Sequence, residues 1–289
     1  MMDEGVLRDR LAASWGLERA VVEVHNGGMN SATWFVDQDG ARWVAKAVVP
    51  GSRRSFAAGL AVAAALQDAG IPAGAPVATR HGEFVVDVEG IPLALLTWVP
   101  GKELTWADQR LIGGTLARVH RALRDVAVPG AEEFHWVDPR AEHLDVRPWV
   151  RAAVADAVEA YERLGPRTLS WGLLHTDPAP EAFRLESGTC GLIDWSVAMR
   201  GPFLYDLASA VMYAGGPDRA GDLLSAYREQ GPIPRAEAGR ALPVMLRFRW
   251  AVQADYFARR IVAGDLTGID DAAGNEQGLA DAEAALSPR

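Results

Sequence analysis

Leu173-Leu174-His175-Thr176-Asp177-Pro178-Ala179-Pro180-Glu181-Ala182-Phe183, followed by Gly191-Leu192-Ile193-Asp194-Trp195, is the stretch on which the reading of this chain turns. Short apolar runs end in a carboxylate twice, at Asp177 and again at Asp194. Runs of this length with a Pro-rich loop between them read as a strand–loop–strand hairpin that brings both carboxylates to one end. Taken singly, each residue has an ordinary reading: a loop aspartate makes a turn or a cap, and His175 is a satisfied core histidine. The full set at these spacings points to chemistry instead.

Outward from this island the chain changes texture. Residues 20–24, 31–36 and 41–48 carry the β-branched and aromatic residues of strands, the last two joined by a turn with the Asp39-Gly40 hairpin signal. Residues 55–69 are rich in Ala and Leu and read as a helix ended by Gly70 and Pro72. Two more strand-like runs, 83–88 and 92–99, complete a first part with strands and one helix. Beyond Pro100-Gly101 the apolar spacing is helical in 105–124, 147–164, 218–229 and 236–263. The expected fold class is α+β and bilobed: a small β-rich part at 1–99 and a larger, mostly helical part at 100–289.

Paired carboxylates at one end of a hairpin suit phosphoryl transfer. One orients an acceptor hydroxyl and takes its proton, while the other holds the magnesium that neutralises the β- and γ-phosphates. His175-Thr176-Asp177 and Ile193-Asp194-Trp195, with the later Tyr205-Asp206-Leu207-Ala208, resemble the signatures of the aminoglycoside phosphotransferase and choline-kinase-like family, which has a protein-kinase-like fold. The resemblance runs over about residues 20–260. It implies Asp177 as catalytic base with His175 holding its loop, Asp194 as magnesium ligand, and Asp206 as a buried carboxylate bracing the catalytic loop. In the first part, Asn26-Gly27-Gly28-Met29-Asn30-Ser31 resembles the family's nucleotide loop, with Gly27, Gly28, Asn30 and Ser31 near phosphate; by itself the pair of glycines reads as a hairpin turn. Lys46 in Val44-Ala45-Lys46 resembles the strand lysine that clamps the α- and β-phosphates. Thr97, Trp98 and Val99 resemble the segment whose backbone meets the adenine edge. Leu116-Ala117-Arg118-Val119-His120 matches a family helix in which His120 is structural.

Two departures stand out. By strict counting the family's Asn, a further metal ligand, falls at Ala182; a one-residue deletion in the loop would instead put Glu181 in its place as an oxygen ligand, the alternative being a solvated glutamate in a shortened loop. Kinase-like folds also pair the strand lysine with a helix glutamate, but no acidic residue lies between Lys46 and Asp68, and the expected position is Gly59. Lys46 is then held by another carboxylate, such as Asp194, or the nucleotide is clamped less firmly. Arg53 and Arg54 are candidates to add positive charge near phosphates, against the commoner reading as surface residues.

The formal charge of −9 over 289 residues leaves no basic excess for nucleic acid. A single cysteine, Cys190, excludes an internal disulfide and a Cys-based zinc site. No apolar stretch is long enough to span a membrane and no signal peptide is apparent, so a cytoplasmic protein is expected. Nothing in the sequence specifies an oligomeric state. The resemblance implies ATP, or GTP in its place, with Mg2+, and transfer of the γ-phosphate to a hydroxyl of a small molecule, an antibiotic or a metabolite. The alternative is a catalytically weakened kinase-like protein that binds nucleotide or metabolite without transfer. A protein kinase fits poorly, since no Arg stands between His175 and Asp177 and no Ala-Pro-Glu follows Asp194. Trp136, Trp149, Asp206, Trp250, Asp255 and Tyr256 are candidates to line an acceptor pocket, with core packing as their alternative.

Overall fold

Residues with strand propensity build an antiparallel five-stranded sheet in the computed structural model, which describes residues 2–25, 31–134, 137–269 and 271–287. After helix α1 (Glu4–Trp15) come β1 (Val21–His25), β2 (Ser31–Gln38) and β3 (Ala41–Val48), then α2 (Arg53–Asp68), β4 (Val86–Val88) and β5 (Ile91–Thr97). The sheet order is β1-β2-β3-β5-β4. Strand alternation gives this sheet two apolar faces. Trp34, Val36, Ala45, Leu93 and Leu95 pack with Leu7 and Leu11 of α1, whereas Val48 and Ala94 pack with Phe56 and Leu60 of α2. Lys46 pairs with Ala94 and so belongs to the α2 face.

Beyond β6 (Lys102–Glu103) follow α3 (Gln109–Leu123), α4 (Val150–Arg163), β7 (Trp171–Leu174), β8 (Phe183–Glu186), β9 (Thr189–Leu192), β10 (Met199–Pro202), α5 (Leu204–Tyr213), α6 (Gly221–Gln230), α7 (Arg235–Ala263) and α8 (Ala273–Leu286). The chain divides into two compact units. The first is Met1–Glu103 with Val126–Glu132 and Glu181–Met199; the second is Leu104–Asp125, Glu133–Pro180 and Arg200–Arg289. In the second unit Val150, Val154 and Ala157 of α4, Ala251, Ala254 and Ala258 of α7, and Leu279 and Ala282 of α8 share one core. Among the described residues no helix is long and apolar enough to cross a membrane.

Three helices depart from the sequence reading. α1 buries little beyond Leu7, Leu11 and Ser14, too narrow a stripe to stand out, although Asp3 caps it and Gly16 ends it in the left-handed region. α5 is buried at every position from Leu204 to Met212, so its sequence has no polar face and no period. α8 is short of large apolar residues. The hairpin also differs. Asp177 follows β7, which pairs with β10, whereas Asp194 follows β9, which pairs with β8. Pro178 and Pro180 cannot donate to a ladder, so the chain cannot continue from β7 into a strand that pairs with β9.

Candidate active site

In the first unit the β8–β9 hairpin aligns Phe183 with Leu192, and Ile193 N–H extends the ladder by donating to Ala182 O at 2.9 Å. Glu181, in the turn Pro180–Ala182 that leads into β8, thus stands at the same end of this hairpin as Asp194, and Asp177 does not belong to it. Asp194 adopts a positive φ of 70°, a conformation a non-glycine residue keeps only where its surroundings hold it. Trp195 supplies one such hold, its indole N–H donating to Leu192 O at 2.8 Å.

Lys46 is 7% exposed, and its ammonium donates to Asp194 Oδ1 at 2.5 Å. Ser196 Oγ donates to the same oxygen at 3.1 Å. A buried ammonium needs an acceptor, and Asp194 provides it where the helix glutamate is missing. The structure also gives the reason for that missing residue. A Cβ on Gly59 would lie 2.0 Å from the backbone oxygen of Trp195, so α2 packs directly on the backbone beside Asp194 and admits no side chain. Gly59→Ala is therefore expected to lower stability by about 1–3 kcal/mol, despite the gain of roughly 1 kcal/mol in helix propensity. Urea unfolding checks this; a variant as stable as the parent would show that the contact relaxes freely.

Carboxylate oxygens on Asp194 and Glu181 are the donor type for a hard divalent cation, which in phosphoryl-transfer sites takes one or two carboxylates and completes its shell with phosphate and water. The residues fit such an ion. Among the described residues no group of three or more His, Cys, Asp or Glu could hold a metal by itself. Of the residues expected near the nucleotide, Ser31 opens β2 opposite Val48, and Gly27, Gly28 and Asn30 lie outside the described residues. Thr97 ends β5 with its N–H on Ala75 O at 2.8 Å. Trp98 meets Phe35 edge-on at 5.4 Å, with the Arg42 guanidinium over both rings, and Val99 is buried. Arg53, considered for phosphate, instead pairs with Asp87 at 2.5 Å.

In the second unit the catalytic-loop candidates rest on Asp206, fully buried in the first turn of α5. Its carboxylate accepts the backbone N–H of His175 and of Thr176, each at 2.7 Å. It also accepts from His120 Nε2 at 3.1 Å. Because the carboxylate only accepts, His120 carries its proton on Nε2, and Tyr227 O–H donates to Nδ1 at 2.7 Å. Burial, and then the nearby Asp206 charge, push the Tyr227 phenol well above its usual range, so it remains a donor. Thr176 sits at φ 80°, unusual for a β-branched residue, and the Asp206 contact holds it there. Asp206 was also a pocket candidate; its complete burial removes it from any pocket lining.

Asp177 follows this pinned turn. Its N–H donates to His175 Nδ1 at 3.3 Å, so buried His175 meets the loop backbone. Its Oδ1 accepts from Tyr213 O–H and from Arg249 Nη2, the latter at 3.4 Å. Arg249 escaped the sequence reading because an arginine on a long helix is ordinarily solvated, although it stands four residues after Met245 on the buried stripe of α7. The remaining pocket candidates divide. Trp149 and Trp250 pack on the α4–α7–α8 core, Asp255 accepts from His143 Nε2 at 2.7 Å, and the Tyr256 hydroxyl accepts from Arg260 Nη1 at 3.2 Å. Trp136 lies outside the described residues.

Known proteins resemble this chain in sequence and in fold. The homoserine kinase of Rhodopseudomonas palustris (strain TIE-1) is 29% identical over 203 residues, a match that takes in 63% of this chain and 61% of that enzyme. Among solved structures, the amicoumacin kinase hAmiN, in complex with AMP-PNP, Ca2+ and Ami, superposes with a TM-score of 0.76 at 18% identity, covering 99% of this chain and 93% of that one. A choline/ethanolamine kinase family protein from Mesorhizobium loti gives 0.70 at 16% identity, over 99% and 96% of the two chains. These likenesses establish a protein-kinase-like fold. The family model of the phosphotransferase enzyme family (APH) matches residues 21–242, and the chain belongs to that family.

Proposed function

We propose that the chain is an ATP-dependent kinase of a small, hydroxyl-bearing molecule. The observation that carries this reading is the Lys46–Asp194 pair, a buried cation held by a carboxylate, on the sheet face that α2 covers. In this reading Lys46, Ser31, Gly27, Gly28 and Asn30 take the triphosphate, while Thr97, Trp98 and Val99 take the base. Asp194 and Glu181 would hold Mg2+, which when bound neutralises charge on the phosphate oxygens. Asp177 orients the acceptor hydroxyl and receives its proton, on a loop that His175 and Asp206 keep in place. Positioning and charge neutralisation supply most of the rate enhancement. As functional parts, 1–99 is the nucleotide-binding region and 100–289 carries both loops, although 181–199 packs with the first unit.

The similarity to homoserine kinases makes a hydroxy amino acid the first acceptor to test. The AMP-PNP and Ca2+ held by hAmiN support a nucleotide together with a divalent ion. One observation favours a second reading, binding without transfer: the expected Asn position is Ala182, a buried residue with no ligand atom in its side chain. Calorimetric titration of ATP with and without Mg2+, into the parent and Asp194→Ala, separates the two when run beside ADP release with homoserine and with choline. The kinase reading expects Mg2+ to strengthen ATP binding, the variant to lose that gain, and ADP release to depend on an acceptor. ATP binding indifferent to Mg2+ would turn the assignment to the binding protein.

A further inference from the structure

Asp177 has a feature that a loop base does not need for folding: both side-chain donors that reach its carboxylate converge on Oδ1. Tyr213 O–H and Arg249 Nη2 are those donors, and among the described residues Oδ2 has no protein donor. Arg249 is itself fixed. Its Nε donates to Ser209 Oγ at 3.0 Å, and its guanidinium lies over the rings of Tyr205 at 5.9 Å and Tyr213 at 5.7 Å. Tyr213 is stacked in turn on Trp106 at 5.6 Å. Burial works against the Arg249 charge, but Tyr205, Tyr213 and Asp177 outweigh it and leave its pKa above that of a free guanidinium. This cation is permanent at any pH at which the protein is folded.

We propose that Arg249 and Tyr213 are positioning residues for Asp177: they fix its carboxylate by Oδ1 and reserve Oδ2 for the acceptor hydroxyl. The proposal rests on the kinase reading above. Two donors on one oxygen stop the carboxylate from rotating, so the acceptor meets one oxygen in one direction. Asp177 then orients the hydroxyl and takes its proton. As the acceptor oxygen bonds to the γ-phosphorus, the bond from that phosphorus to the β–γ bridging oxygen breaks, ADP leaves, and the proton passes to Oδ2. The groups that face Asp177 are Arg249 from α7, Tyr205 and Tyr213 from α5, and His175 from its own loop; Asp206 acts through the backbone.

The test is kcat and KM for homoserine, with urea unfolding alongside, in the parent, Arg249→Lys, Arg249→Met and Tyr213→Phe. The proposal expects kcat to fall about tenfold or more in Arg249→Met, with the KM for ATP near the parent value, and Arg249→Lys to recover part of the loss. A purely structural role would lower stability in Arg249→Met and leave the kcat of the folded protein unmoved, which overturns the proposal. Should Arg249→Met not fold, Tyr213→Phe decides, because losing one donor must lower kcat and an unmoved value there is equally fatal. A parent protein that releases no ADP with any acceptor sinks the kinase reading, while the carbon-13 carboxyl resonance of Asp177 at fixed pH, assigned by its loss in Asp177→Asn and compared between the parent and Arg249→Met, still decides whether Arg249 holds Asp177.

Discussion

Asp177→Asn is expected to reduce acceptor phosphorylation by about a hundred- to ten-thousandfold, the range general-base groups contribute, while ATP affinity stays within about threefold of the parent. Asparagine has nearly the same shape and keeps an oxygen that can accept from Tyr213 and Arg249, so the loop should be undisturbed. What it loses is the charge and the site that receives the hydroxyl proton. The split between the two readouts matters. ATP affinity in the proposed scheme comes from Lys46 and Asp194 with its ion, and Asp177 has no part in it. Rapid-mix turnover and calorimetry on the same preparation check both halves. Near-parental turnover would remove Asp177 from the mechanism, and a large loss of ATP affinity would show that the substitution had acted through the fold.

Asp206→Ala should cost about 3–5 kcal/mol of stability, enough to unfold much of a marginal domain. The substitution strips an acceptor from three buried donors at once, the N–H groups of His175 and Thr176 and Nε2 of His120. No solvent reaches them, since His175 is 2%, Thr176 1% and His120 0% exposed. Leaving a buried donor unmade costs far more than a hydrogen bond contributes net, roughly 1–3 kcal/mol for each group. Asp206→Asn keeps one carbonyl but turns an amide N–H towards a neighbouring donor, and is expected to fall between the parent and the alanine variant. Denaturant unfolding measures the order. An alanine variant within 1 kcal/mol of the parent, a tenth or so of typical domain stability, would mean that the loop finds other acceptors and that Asp206 does not brace it.

The two variants read different layers of one device. Thr176 is held at a positive φ by a contact to a carboxylate far along the chain, and Asp177 follows directly. Strain at Thr176 persists because Asp206, with the His120 and Tyr227 contacts behind it, over-determines the turn. The Gly59 contact plays a comparable part for Asp194. There the backbone of Trp195 occupies the space that a side chain on α2 would need.

Much of this was legible in the sequence. Strand alternation in β2 and β3 and the Asp39-Gly40 turn determined the start of the sheet, because a period of two buries one face whatever the rest of the chain does. The apolar spacing of α3, α4, α6 and α7 likewise determined helices with one buried stripe. His175-Thr176-Asp177, Asp194 and Asp206 stood out as a set through their resemblance to the family's signatures, and the family so indicated is the one whose model matches residues 21–242. Other features only the tertiary structure decided. α5 could not be read from its period because it is buried on all sides, and the partner of β9 could not be read because two prolines interrupt the ladder before β8 begins. The acceptor for Lys46 was left open between Asp194 and none, and what resolves it is a backbone oxygen 2.0 Å from where a Gly59 Cβ would stand, a distance no local pattern encodes. The spacing of α7 puts Arg249 on its buried stripe, four residues after Met245, but that its guanidinium meets Asp177 is a contact across 72 positions of sequence, which no local pattern encodes.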